Sequence, residues 1–168
     1  RLAVQAESEN LDKGGMSFHA LPAFSTYARK SYWIDIYNQG TGELNWSVAP
    51  SDDWILISQK SGKTSTENRI HISVNWDKVP VGEKVKGQID ITSGNQKESV
   101  LVSVFNPESP ARDELQGLYV EENGYISIPA ADFHRKFESN DIQMNILAGL
   151  GFEGRSLQLG NPTAPLQM

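Results

Sequence analysis

The sequence predicts an all-β molecule: a two-sheet antiparallel sandwich followed by an incomplete second β unit. Three observations lead there. Apolar residues recur with a period of two, clusters of turn formers punctuate the chain, and no window carries a convincing 3.6-residue period.

The elements follow in chain order. Residues 2–6 form a short strand candidate. In 31–38, Tyr32, Ile34 and Ile36 alternate with Trp33, Asp35 and Tyr37, and successive strand residues face opposite ways. Shorter candidates lie at 43–48 and 54–58. In 69–76, Ile70, Ile72, Val74 and Trp76 share one face against His71, Ser73 and Asn75. Residues 85–92 turn Ile89 and Ile91 inward and Gln88 and Asp90 outward. In 99–105, Val100, Val102 and Val104 alternate with Leu101, Ser103 and Phe105, so both faces are apolar and a central strand is expected. Turn formers separate these runs at 38–42, 61–63, 80–82 and 93–95. Six or seven strands at this spacing describe an immunoglobulin-like antiparallel sandwich of about 100 residues, assigned to 1–105. Strand 2–6 is expected to join a sheet after a long, poorly structured crossing at 7–31.

Residues 106–117 are polar, include Pro107 and Pro110, and read as a linker. Residues 118–168 then hold strand candidates at 118–121, 125–128, 142–147 and 156–159. Four short strands are too few for an independent sandwich, so this second unit reads as truncated.

Composition excludes several function classes. The chain has 168 residues and 38% hydrophobic residues, enough to bury a core. Its net charge is -6, and its basic residues gather no more densely than Arg29-Lys30 or Arg135-Lys136. A surface that tracks phosphates needs several cations on one face, so neither nucleic acid nor an anionic membrane surface is an expected partner. The absence of cysteine removes disulfides and thiolate chemistry. No apolar run reaches the roughly 20 residues that span a bilayer. The first residues carry no signal-peptide pattern and no initiator Met, and the chain reads as a piece of a longer polypeptide.

No catalytic residue is expected. Gly149-Leu150-Gly151-Phe152-Glu153-Gly154 matches the dinucleotide pattern, but a short strand and Pro162 follow where a helix is required, so a β-turn is expected. Glycosidic cleavage needs two carboxylates about 5–9 Å apart across a cleft. Asp52-Asp53 and Glu121-Glu122 are adjacent pairs in turns or at strand ends, where solvated acids are ordinary. His19, His71 and His134 have no zinc-site spacing. Asn45-Trp46-Ser47 is a formal glycosylation sequon inside an expected strand.

The aromatic residues are the candidates for binding. Trp46 and Trp54 flank a turn and are expected to be core or hairpin-packing residues. Trp33, Asp35 and Tyr37 share a strand face opposite the aliphatic set. That face suits either a sugar platform or a surface docked on a neighbouring domain, with docking preferred. Trp76 is the next candidate.

The run 38–42, then Trp46, Asp53-Trp54-Ile55 and Ser61-Gly62, resembles a BACON-type immunoglobulin-like sandwich, common in surface carbohydrate enzymes of gut Bacteroidetes. Leu21-Pro22-Ala23-Phe24, residues 32–38, Val74-Asn75-Trp76-Asp77, Phe105-Asn106-Pro107, residues 120–128 and Gly149-Leu150-Gly151 resemble the C-terminal region of glycoside hydrolase family 115. That family comprises xylan α-glucuronidases. The resemblance implies a catalytic barrel upstream of this region, so no family catalytic residue has a counterpart here. It also implies a tail associated with dimerisation and with shaping the surroundings of the active site. The partners implied are the upstream catalytic domain, a second subunit and a xylan-type oligosaccharide, in the periplasm or at the surface of a bacterium. A carbohydrate-binding module that targets glucuronoxylan is the alternative.

One departure bears on metals. Where the family reads Glu-Ala-Glu-His-Phe, and where a similar Glu-x-Glu supplies calcium ligands in carbohydrate-binding modules of families 6 and 35, this chain has Pro129-Ala130-Ala131-Asp132-Phe133. One carboxylate cannot supply a six- to eight-oxygen shell, so no metal and no cofactor is expected.

Overall fold

The computed structural model describes residues 1–7, 19–115, 117–121, 124–133, 135–137, 143–151 and 154–160. It divides into two compact units, Arg1–Gly124 and Tyr125–Met168.

The first unit is a β-sandwich. Its strands are β1 (Leu2–Ala6), β2 (His19–Ala20), β3 (Phe24–Ser25), β4 (Tyr32–Asn38), β5 (Leu44–Pro50), β6 (Ile55–Ile57), β7 (Ser61–Thr64), β8 (Glu67–Val74), β9 (Gly82–Ser93) and β10 (Gln96–Asn106). One sheet has the order β1-β4-β8-β6; the other runs β2-β10-β9-β5-β7, with β3 also paired to β10. The inward residues of both sheets merge into one core. Leu2, Val4, Ile34, Ile36, Ile70 and Ile72 come from the first sheet, and Trp46, Val48, Ile89, Ile91, Val100 and Val102 from the second. Their period-two spacing is the reason these segments are strands, because one residue of slip would turn every apolar group to solvent.

Two glycines allow the tryptophans into this core. A Cβ at Gly62 would lie 2.5 Å from Cζ2 of Trp46, and one at Gly87 would lie 2.8 Å from Cζ2 of Trp54. Both indoles are buried, as expected from the sequence. Gly62 therefore sits within strand β7, paired to β5 opposite Trp46, and not in the turn expected at 61–63. Its lack of a side chain serves close approach and not a bend.

Other expectations need adjustment. The sandwich is not wholly antiparallel, since β2 and β3 run parallel to β10. These two strands lie within the crossing expected at 7–31 to be poorly structured; residues 8–18 of that crossing lie outside the described residues. Strand β1 joins the first sheet antiparallel to β4, as expected. Strand β10 is flanked on both sides, yet its outer residues Leu101 and Phe105 are exposed; its apolar second face does not mark burial by another layer.

In the second unit, β11 (Met144–Ala148) and β12 (Arg155–Leu159) form an antiparallel hairpin. The glycine-rich segment is its connection. Gly149, Gly151 and Gly154 all take positive φ, and the Gly149 N–H donates to the Gly154 carbonyl at 2.7 Å. It is a turn, as the residues after it required. Residues expected to be strands at 118–121 and 125–128 are irregular where described, with Leu118, Tyr125, Ile126 and Ile128 more than half exposed. Tyr125 makes a single isolated bridge, and the alternation does not extend into a strand among the described residues.

Candidate functional site

The outward face of the β1-β4-β8-β6 sheet gathers three of the four candidates named from sequence. Strand register places them in cross-strand rows. Ala3, Tyr37 and Glu67 form one row, Gln5, Asp35 and Arg69 the next, and Trp33 and His71 lie together in a third. Directly opposed residues on neighbouring strands share a face and touch, so the alternation of β4 and β8 builds the cluster.

Arg69 organises it. Its Nε and Nη2 donate to the two carboxylate oxygens of Asp35, each at 2.7 Å. Its guanidinium carbon also lies 4.0 Å from the centre of the Trp33 ring. One planar cation thus serves a bidentate ion pair and a cation–π stack, a combination that lysine cannot reproduce. The Asp35 side chain is only 7% exposed, whereas that of Arg69 is 51% exposed. The charge-assisted bonds to Asp35 raise the guanidinium pKa above its already high ordinary value.

The Tyr37 hydroxyl lies 3.4 Å from both Gln5 Oε1 and Asp35 Oδ2. Burial is the main cause raising its pKa, followed by the negative charges of Asp35 and Glu67. The Trp33 N–H donates to Glu7 Oε2 at 3.0 Å, and the Glu7 N–H donates to the Trp33 carbonyl at 3.1 Å. The face is an interlocked aromatic and ionic surface in which Asp35 and Arg69 are engaged with each other.

Trp76 is not part of it. It follows the end of β8, packs partly buried against the core, and has the Arg29 guanidinium 5.7 Å from its ring centre. Arg69 is the residue that sequence reasoning missed. The phase of β8 put it on the outward face, but nothing in the sequence paired it with Asp35.

The remaining polar residues are accounted for locally. Asp53 pairs with Lys78 at 2.7 Å, and this contact lowers the pKa of its carboxyl. The Glu121 carboxylate accepts the Gly124 N–H, and Glu122 lies outside the described residues. His19 lies 3.8 Å from Glu98, His71 is exposed on the sheet face, and His134 is outside the described residues. Asp132 pairs with Arg155. Among the described residues, no group of three or more His, Asp or Glu side chains is placed to hold a metal ion.

Comparison with known proteins gives the family. Residues 23–105 match the Viral BACON domain, and residues 118–168 match the Glycosyl hydrolase family 115 C-terminal domain. A search of curated proteins returns no match. Among solved structures, the Bacteroides ovatus GH5 xyloglucanase is 18% identical with a TM-score of 0.43, over 67% of this chain and 21% of that one. The S-layer protein SbsC domains 4 and 5 are 16% identical with a TM-score of 0.38, over 62% of this chain and 44% of theirs. The E. coli chaperone DraB is 8% identical with a TM-score of 0.46, over 72% of this chain and 64% of that one. The chain thus spans about a fifth of the length of the xyloglucanase, and likenesses at this level carry no functional inference. With two family matches in the order that the sequence motifs anticipate, the chain is a glycoside hydrolase family 115 C-terminal region carrying a BACON-like domain.

Proposed function

We propose that this chain is the non-catalytic accessory region of a bacterial xylan α-glucuronidase, placed outside the cytoplasm, and that the Trp33–Asp35–Tyr37–Arg69 face docks on the catalytic domain of the same polypeptide. The match of residues 118–168 to the family 115 C-terminal domain supports the accessory role. The docking role rests chiefly on Arg69, which lies 4.0 Å from the Trp33 ring. A sugar platform stacks C–H groups on an open aromatic face, and here one face of that indole is taken by a guanidinium. Protein interfaces, by contrast, are enriched in Trp, Tyr and Arg and concentrate their energy in such preordered clusters. Contacts to a second subunit belong to the same reading.

Hydroxyl-radical footprinting of the parent polypeptide, compared with this chain alone, tests the docking. The Trp33 indole is expected to oxidise several-fold more slowly in the parent; equal oxidation in both would rule docking out. The competing reading, a module that targets glucuronoxylan through exposed aromatics, draws on Trp76. That ring is partly exposed, and the Arg29 guanidinium lies farther from its centre, at 5.7 Å, than Arg69 does from Trp33. Acidic xylo-oligosaccharides would then quench Trp76 fluorescence saturably.

A further inference from the structure

The stretch that follows β10 reads from sequence as a linker, yet the structure ties it to the sandwich. The Asn106 amide donates to the carbonyls of Val79 at 3.3 Å and Pro80 at 3.2 Å. Four residues on, the Pro110 carbonyl accepts the Tyr27 hydroxyl at 2.9 Å. The Ala111 N–H donates to Glu114 Oε2 at 2.9 Å and the Glu114 N–H to the Ala111 carbonyl at 3.1 Å, which closes the short 3-10 turn Arg112–Leu115.

Tyr27 is itself held rigidly. Strand β3 pairs with β10 through Phe24 and Ser25, and the Thr26 N–H continues that ladder to the Phe105 carbonyl at 3.0 Å. The buried Ser25 accepts the Tyr27 N–H on its Oγ at 3.2 Å and the Arg29 N–H on its carbonyl at 2.9 Å. Arg29 closes this turn at a φ of 52°, a left-handed conformation that costs a non-glycine residue energy and persists only where surrounding contacts enforce it. The Tyr27 ring meets Phe105 edge-on, with ring centres 6.0 Å apart.

We infer that Tyr27 is a latch that turns residues 106–115 into a strap on the end of the sandwich, so that the chain stays anchored well past its last sandwich strand. One side chain makes the hydrogen bond to Pro110 and the ring contact to Phe105. The loop that carries it is braced through Ser25 and Arg29, and the strap it holds is already stiffened by two prolines. The anchored stretch then runs on to Leu115 instead of ending at Asn106. This is a positioning device, and it stands whether the outward sheet face docks on protein or binds sugar.

Hydrogen exchange of the intact chain tests it. In the unaltered protein, the Ala111 and Glu114 amides should exchange at least tenfold more slowly than in an unstructured peptide. Tyr27→Phe should speed both about fivefold, the effect of one lost hydrogen bond. Tyr27→Ala should speed them more than tenfold, with the Ile89 and Val100 amides unchanged as proof of an intact core. Should Tyr27→Ala not fold, trypsin cleavage after Arg112 in Tyr27→Phe gives the same reading, about fivefold faster than in the unaltered protein. Unstructured-peptide rates at Ala111 and Glu114 in the unaltered protein overturn the inference, as do unchanged rates in the variants.

Discussion

Arg69 places its Nε–Nη2 edge on Asp35 and its flat face near Trp33, so the sheet face depends on a single guanidinium. Replacing Asp35 with Asn removes the charge from two short, partly buried bonds. Hydrogen bonds to charged groups contribute about 1.5–3 kcal/mol, so Asp35→Asn should lower the unfolding free energy by that amount in a urea titration. Arg69→Lys should shift the Trp33 emission to longer wavelength, because a point-charge ammonium cannot pair bidentately and stack at once. Trp33, Asp35 and Tyr37 were legible in the sequence because alternation alone assigns them to one face. Arg69 was not, because its role depends on strand register, which sets Asp35 opposite Arg69 through a pairing between segments 34 residues apart. Trp76 was legible as a candidate but not as an outlier; its separation from the other three follows from its place past the end of β8.

At the level of elements, the strands that show apolar alternation were readable, the short β1, β5 and β6 included, and those without it were not. Strands β4, β8, β9 and β10 fall where the period-two pattern puts them, within a few residues. Strand β7 looked like a turn because glycine and serine usually mark one, yet Gly62 is there to admit the Trp46 ring. Strands β2 and β3 have two residues each, too few to show any period. Gly87 sets a comparable limit within β9. A methyl group there would meet Cδ1 of Ile55 and Cζ2 of Trp54, each at 2.8 Å. Gly87→Ala is therefore expected to cost about 1–3 kcal/mol by overpacking, seen as a lower urea midpoint. On the outer face of β9 and β10, Asp90 accepts from Lys97 at 2.8 Å, Ser99 at 2.7 Å and Gln88 at 2.6 Å. The Lys97 hydrogen bond is the main cause lowering its pKa below 3.8, against a smaller opposing effect of burial. A carboxyl whose folded-state pKa is depressed contributes stability that is complete above its unfolded value, near pH 4, and is lost as pH falls through the lowered one. Asp90→Asn should thus flatten the acid limb of the stability curve below about pH 4 and reduce stability at pH 7.

At the scale of the whole molecule, residues 23–105 and 118–168 carry the two family matches. Adjacent carboxylates such as Asp52 and Asp53 occupy a turn where Asp53 is neutralised by Lys78, and the inward positions of both sheets are filled by aliphatic and indole packing. The all-β class was readable from periodicity. The family was readable from the order of short motifs along the chain, each of modest specificity alone. The strap held by Tyr27 was not readable, because a polar, proline-containing stretch has the same composition whether tethered or free. The account turns on the outward sheet face being a surface for protein and not for sugar. Calorimetric titration of this chain with acidic xylo-oligosaccharides tests that most directly. Flat isotherms up to millimolar ligand are predicted; saturable binding that disappears in Trp33→Ala would contradict it.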